Sequence, residues 1–108
     1  MGTLCIFILK EVESTGQKVL REFWELNPDS EEQLKSWYQE TSKGDWPNPN
    51  FVKEEFPNSR LISNNRVIFN IKGNQYRLVI RVNYKYRMVY VRFIGTHEDC
   101  DKIDATKV

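Results

Sequence analysis

The chain has 108 residues and a formal net charge of +1, a length that holds one domain, read as residues 1–108, with a modest core and no need of metal or disulfide support. One histidine and no Cys-x-x-Cys spacing leave almost nothing for a metal centre. The longest apolar run, Leu4–Leu9, is too short to span a bilayer and lacks the flanks of a secretory signal.

The net charge hides a split. Residues 1–59 carry six basic and eleven acidic side chains, residues 60–93 carry eight and none, and residues 94–108 carry two and four, giving −5, +8 and −2. A block of cations without a single carboxylate points to a polyanion partner. Cys5 and Cys100 lie far apart and read as free thiols, which places the chain in the cytoplasm. No cofactor motif is present, since no Gly-rich loop precedes a helix.

In chain order, Leu4–Leu9 reads as a buried first strand. Ser14 to Asn27 carries Val19, Leu20, Phe23, Trp24 and Leu26 at helical spacing and stops at Pro28. Asp29 and Glu32 have the spacing of a capping box that opens a second helix, with Leu34, Trp37 and Tyr38 as its stripe and Gly44 as its end. The two helices form an αα-hairpin. Trp46 to Asn50 is a stiff connector, and Phe51–Phe56 is a short helical turn. Trp24, Trp37 and Trp46 read as core or partner contacts.

From Arg60 the period changes to two. Leu61-Ile62 is a short strand, Ser63-Asn64-Asn65 a turn, and Arg66–Lys72, Gln75–Asn83 and Met88–Ile94 are three strands joined by turns at Gly73-Asn74 and Tyr84–Arg87. Pairing Lys72 with Gln75 sets Ile71 on Tyr76, Phe69 on Leu78 and Val67 on Ile80. Pairing Asn83 with Met88 sets Val82 on Val89, Ile80 on Val91 and Leu78 on Phe93. Every one of these residues is apolar or aromatic, so they share the face that packs on the helices. The expected fold is α+β: a two-helix hairpin on one face of a twisted, mainly antiparallel sheet.

The other face then carries Arg66, Ile68, Asn70, Lys72, Gln75, Arg77, Val79, Arg81, Asn83, Met88, Tyr90, Arg92 and Ile94. Arg66 lies opposite Arg81, and Arg92 opposite Val79. Like charges facing each other destabilise a sheet, so the cluster reads as a phosphate site. Gly95 permits a bend that brings His97 to the rim. RNA cleavage needs a base for the 2′-OH, positive charge on the phosphorane and an acid for the leaving 5′-oxygen. Arginine forks supply fixed charge, and histidine moves protons near neutral pH. Arg77, Arg92 and His97 form a minimal catalytic set. Arg66, Asn70, Lys72 and Arg81 are candidate RNA-binding residues, and Tyr90 and Tyr84 could stack on bases. The acidic tail, Glu98, Asp99, Asp101 and Asp104, reads as solvated, with capping of the basic face as the alternative.

Asn65–Asn74, then Tyr76-Arg77-Leu78-Val79, then Val91–His97 resemble the HigB family of type II toxin–antitoxin toxins, within the RelE-like superfamily. Leu20–Glu25, Leu34–Tyr38, Asp45-Trp46 and Asp101–Ala105 match as well, so the likeness runs from Lys18 onward and leaves residues 1–17 as a divergent or extended N-terminus. The resemblance implies a mRNA interferase that acts on the translating ribosome, with Arg77, Arg92 and His97 as functional residues and Lys72 in support. It implies a HigA-type helix-turn-helix antitoxin as partner. The family usually ends Thr-His-x-Glu-Tyr-Asp, whereas here Asp99 and Cys100 stand for the Glu and Tyr. That departure favours the alternative of a degenerate toxin that binds antitoxin, RNA or ribosome without cleavage. A third reading is a plain interaction protein whose basic face docks an acidic partner.

Overall fold

Apolar residues at helical spacing build a hairpin of two helices, α1 (Ser14–Leu26) and α2 (Glu31–Lys43), in the computed structural model, which describes residues 11–12, 14–43, 46–73 and 75–107. Pro28 cannot extend α1 and instead starts a 3-10 turn, Pro28–Ser30. The turn is closed locally: Asn27 donates its side-chain amide to the Phe23 carbonyl (3.1 Å), and the buried Ser30 hydroxyl donates to the Asn27 carbonyl (2.7 Å). The expected capping box does not form. Asp29 lies inside the 3-10 turn, and its carboxylate accepts from the Tyr76 hydroxyl (2.8 Å), tying the hairpin to the sheet. That bond, then burial and the nearby negative charge, push the Tyr76 hydroxyl above its ordinary pKa.

After the connector, α3 (Pro49–Glu55) starts at Pro49 with Asn48 as its cap, whose side chain accepts from the Asn50 amide (3.0 Å). Trp46 is buried, and its indole N–H donates to Glu55 (2.8 Å).

The sheet runs in the order β1-β5-β4-β3-β2, with β1 (Glu11–Val12), β2 (Arg60–Ile62), β3 (Arg66–Ile71), β4 (Tyr76–Asn83) and β5 (Met88–Thr96). β1 pairs with β5 in parallel, and the other neighbours are antiparallel. The strand expected at Leu4–Leu9 lies outside the described residues. Val12 is part of β1, and Ser14 to Gly16 open α1.

Phe69 is the centre of the helix-side core. Its ring meets Phe56 and Trp37 edge-on at 5.1 and 5.4 Å and stacks with Trp46 at 6.5 Å. Leu20, Leu34, Val52, Val67, Ile71, Leu78, Ile80, Val82 and Val89 are buried around it. Each fully buried side chain of this size contributes about 1.5–3 kcal/mol, so this layer holds the hairpin to the sheet.

The first hairpin has the expected register: Ile71 on Tyr76, Phe69 on Leu78, Val67 on Ile80. Its turn carries positive φ at Lys72 (56°) and Gly73 (67°), one residue earlier than expected. The second hairpin also starts as expected, with Asn83 on Met88, Val82 on Val89 and Ile80 on Val91. Then the register shifts. Val79 pairs with Phe93, Leu78 with Ile94, and Arg92 is left as an extra residue without a partner. This overturns the expected pairing of Leu78 with Phe93 and of Val79 with Arg92. Ile94 now packs on the helix-side core, and Phe93 turns to the open face.

Candidate nucleic-acid interface

The bulge sorts the open face into three rows. Arg66, Arg81 and Tyr90 pair across β3, β4 and β5 in the first; Ile68, Val79 and Phe93 form the second; Asn70, Arg77 and Gly95 form the third. At about 3.3 Å of rise per residue, the first and third rows are roughly 13 Å apart.

The first row is cationic. Arg81 lies over the Tyr90 ring, 5.9 Å from its centroid. Burial, then Arg81 and Arg92, lower the pKa of the Arg66 guanidinium, which places Arg92 beside this row. An arginine keeps its charge under such pressure, so three guanidinium groups crowd one end of the sheet.

The second row is apolar and covered. Ile68 and Val79 are buried under Cys100, with Ile62, Phe93 and Ala105 packed around them. Cys100 is a free buried thiol; Cys5 lies outside the described residues. The four acids of the C-terminal segment, Glu98, Asp99, Asp101 and Asp104, are exposed as expected, while Cys100 anchors the segment to the sheet. Thr96 caps α4 (His97–Asp101) by accepting from the Asp99 amide (3.1 Å), and beyond it Asn64 donates to the Thr106 carbonyl (3.0 Å), fastening the tail to the β2–β3 turn. Gly95 has a steric role beyond bending: a Cβ there would come within 2.7 Å of the Phe93 ring.

The third row ends in the candidate reaction centre. The Arg77 side chain is 14% exposed, and its Nε is buried with no hydrogen-bond partner among the described residues. His97 follows β5 directly, and its amide donates to the Gln75 carbonyl (3.1 Å). Asp101 contacts both: one carboxylate oxygen lies 3.5 Å from His97 Nδ1, the other 3.9 Å from Arg77 Nη1. Gln75, Thr96, His97 and Glu98 line an open depression beside this group.

The structure thus places Arg77 and His97 on either side of Asp101, with Asn70 opposite Arg77, and gathers Arg66, Arg81, Arg92 and Tyr90 elsewhere. Arg92 stands five residues before His97, roughly 16 Å of strand. Lys72 leaves the expected face: its left-handed backbone places it at the start of α2, where its amide donates to Gln33 (2.5 Å) and it lines a depression with Asp29, Glu32 and Ser36. Tyr84 is half-buried and packs against the helix-side core, where burial raises its pKa. Asp101, read as solvated with capping of the basic face as the alternative, is 59% exposed and contacts both His97 and Arg77. Its signal was the spacing Thr96, His97, Asp101, which on a capped helical turn stacks the acid on the histidine.

Among the described residues no cluster of His, Cys, Asp or Glu could hold a metal ion, and no helix is long and apolar enough to cross a membrane. A family model described as HigB_toxin, RelE-like toxic component of a toxin-antitoxin system, matches residues 30–103. The mRNA interferase toxin HigB of Escherichia coli (strain K12) is 30% identical to this chain over 88 residues, covering 79% of this chain and 84% of that protein. The mRNA interferases HigB of Escherichia coli O157:H7 and Shigella flexneri match with the same figures.

Proposed function

The chain belongs to the HigB family of RelE-like toxins of toxin–antitoxin systems, and from that membership we propose that it is an mRNA interferase, an endoribonuclease that arrests translation. The reading places it in the cytoplasm, acting on mRNA held by the ribosome and silenced by a HigA-type helix-turn-helix antitoxin.

The observation that carries the proposal is that the sole histidine and the half-buried Arg77 share one carboxylate, Asp101, at the edge of the open face. His97 takes the proton of a 2′-OH. The 2′-oxygen attacks the adjacent phosphorus, the bond to the 5′-oxygen breaks, and a proton passes to that oxygen, leaving a cyclic phosphate. Arg77 holds the non-bridging oxygens as charge builds on them. Asn70, directly opposite, is within reach of the same backbone. Arg66, Arg81 and Arg92 grip the strand further along, where Tyr90 stacks on a base. Arg92 is thereby a binding group more than a partner in the chemistry. Lys72, beside the α2 carboxylates, steers RNA from the margin.

The test is cleavage of mRNA in a translation extract. The proposal expects cut transcripts from the chain as it stands and none from His97→Ala. A second reading, binding without cleavage, is favoured by Cys100, which stands where relatives usually carry a tyrosine and is buried out of reach of RNA. Intact transcripts together with salt-sensitive ribosome binding would support that second reading.

A further inference from the structure

The reaction-centre histidine has two ring nitrogens, and only one can face the substrate. Asp101 follows His97 by four residues on α4, so its carboxylate stacks on the imidazole from within the same helical turn. The turn is fixed at both ends. Thr96 caps it, and Cys100, next to Asp101, is locked in the apolar layer against Ile68 and Val79. The carboxylate's second oxygen faces Arg77, which limits its rotation.

We infer that Asp101 is the positioning residue of this centre: its carboxylate, 3.5 Å from Nδ1, is poised to accept a hydrogen bond from the Nδ1–H of His97, which fixes the ring and leaves Nε2 as the basic nitrogen for the 2′-OH. The tautomer of an imidazole is set by whatever its other nitrogen binds, and a carboxylate also stabilises the imidazolium formed when the proton arrives. The same acid also stands 3.9 Å from Arg77 Nη1. The inference deepens the RNA-cleavage reading and rests on it for its kinetic arm, while its spectroscopic arm stands alone.

Two measurements test it. His97 is the only histidine, so its imidazole ¹⁵N signals are unambiguous. In the neutral ring the natural chain shows hydrogen on Nδ1, and Asp101→Ala and Asp101→Asn both return the ring toward the Nε2–H form that isolated histidine prefers. In a reconstituted translation reaction, Asp101→Ala lowers kcat by about tenfold or more with KM for the programmed ribosome unchanged. Asp101→Glu recovers most of that loss because it keeps the charge. Adding Asp101→Ala to His97→Ala costs nothing further, since the acid acts through the ring.

Unchanged ¹⁵N signals would overturn the inference, as would losses from Asp101→Ala and His97→Ala that multiply. A lower KM with unchanged kcat would also overturn it, because it would mean that Asp101 only neutralises Arg77. If the natural chain cuts no RNA, the function proposal fails, and the imidazole signals still decide whether Asp101 positions His97.

Discussion

The two faces of the sheet are both packed, and they are packed for different ends. The helix side buries large rings around Phe69 and carries the bulk of the apolar contact. The open side buries only a small layer, Ile68, Val79 and Cys100 with Phe93 and Ala105 at its margin. Yet that small layer fixes the tail, and the tail carries His97 and Asp101. The first core decides whether the chain folds; the second decides where its titratable groups stand.

The comparison breaks if the two cores turn out to share one role. Phe69→Ala should give the largest effect, about 3–5 kcal/mol of lost stability, a large part of the 5–15 kcal/mol that small domains have. Thermal or urea unfolding measures it, and cleavage per folded molecule should stay near that of the natural chain. Cys100→Ser places a hydroxyl in an apolar layer, at about 1–3 kcal/mol. Here the expected order is reversed: a modest shift of the unfolding midpoint and a fall in cleavage per folded molecule of about tenfold, because the tail loosens.

A finer cut separates the two ends of the open face. Arg92→Ala should raise KM for RNA several-fold and flatten the salt dependence of binding by about one counterion, with kcat little changed. A kcat effect as large as that of Arg77→Ala would merge the two ends and restore Arg92 to the chemistry.

The smallest expected effect lies at the hairpin's tie to the sheet. The Tyr76 hydroxyl is held above its unfolded value of about 10 by the bond to Asp29. A pKa raised on folding adds stability that is whole below the unfolded value and is lost as pH rises through the folded one. The stability gap between the natural chain and Tyr76→Phe should therefore be present at neutral pH and close in strong alkali. A gap that widens there would contradict the assignment.

Much of this architecture was legible in the residues. Two turns and an alternating pattern were enough to pair six couples of strand residues correctly, because a slip at any of them would expose an apolar side chain. The pattern failed at Val91-Arg92-Phe93-Ile94. Phe93 and Ile94 are both apolar, so the straight register and the bulged one bury a side chain equally well. Gly95 after two adjacent apolar residues was the available signal of a bulge. The capping box failed because Pro28 drew Asp29 into a 3-10 turn. The tail's acids, Glu98, Asp99, Asp101 and Asp104, are exposed as read, but the packing of Cys100 and Ala105 beside them was not legible, because it depends on a covered row that only the bulge creates. The candidate site followed suit: His97 and Arg77 lie on opposite sides of Asp101, an acid read as solvated with capping of the basic face as the alternative, and Arg92 lies with Arg66 and Arg81.

Cleavage of mRNA in a translation extract by the natural chain, His97→Ala and Arg77→Ala, each checked for native folding, tests the central claim most directly. The account predicts cut transcripts from the natural chain and losses of about a hundredfold or more in both variants. Full cleavage by both variants would contradict it and move the reaction centre away from the edge of the open face.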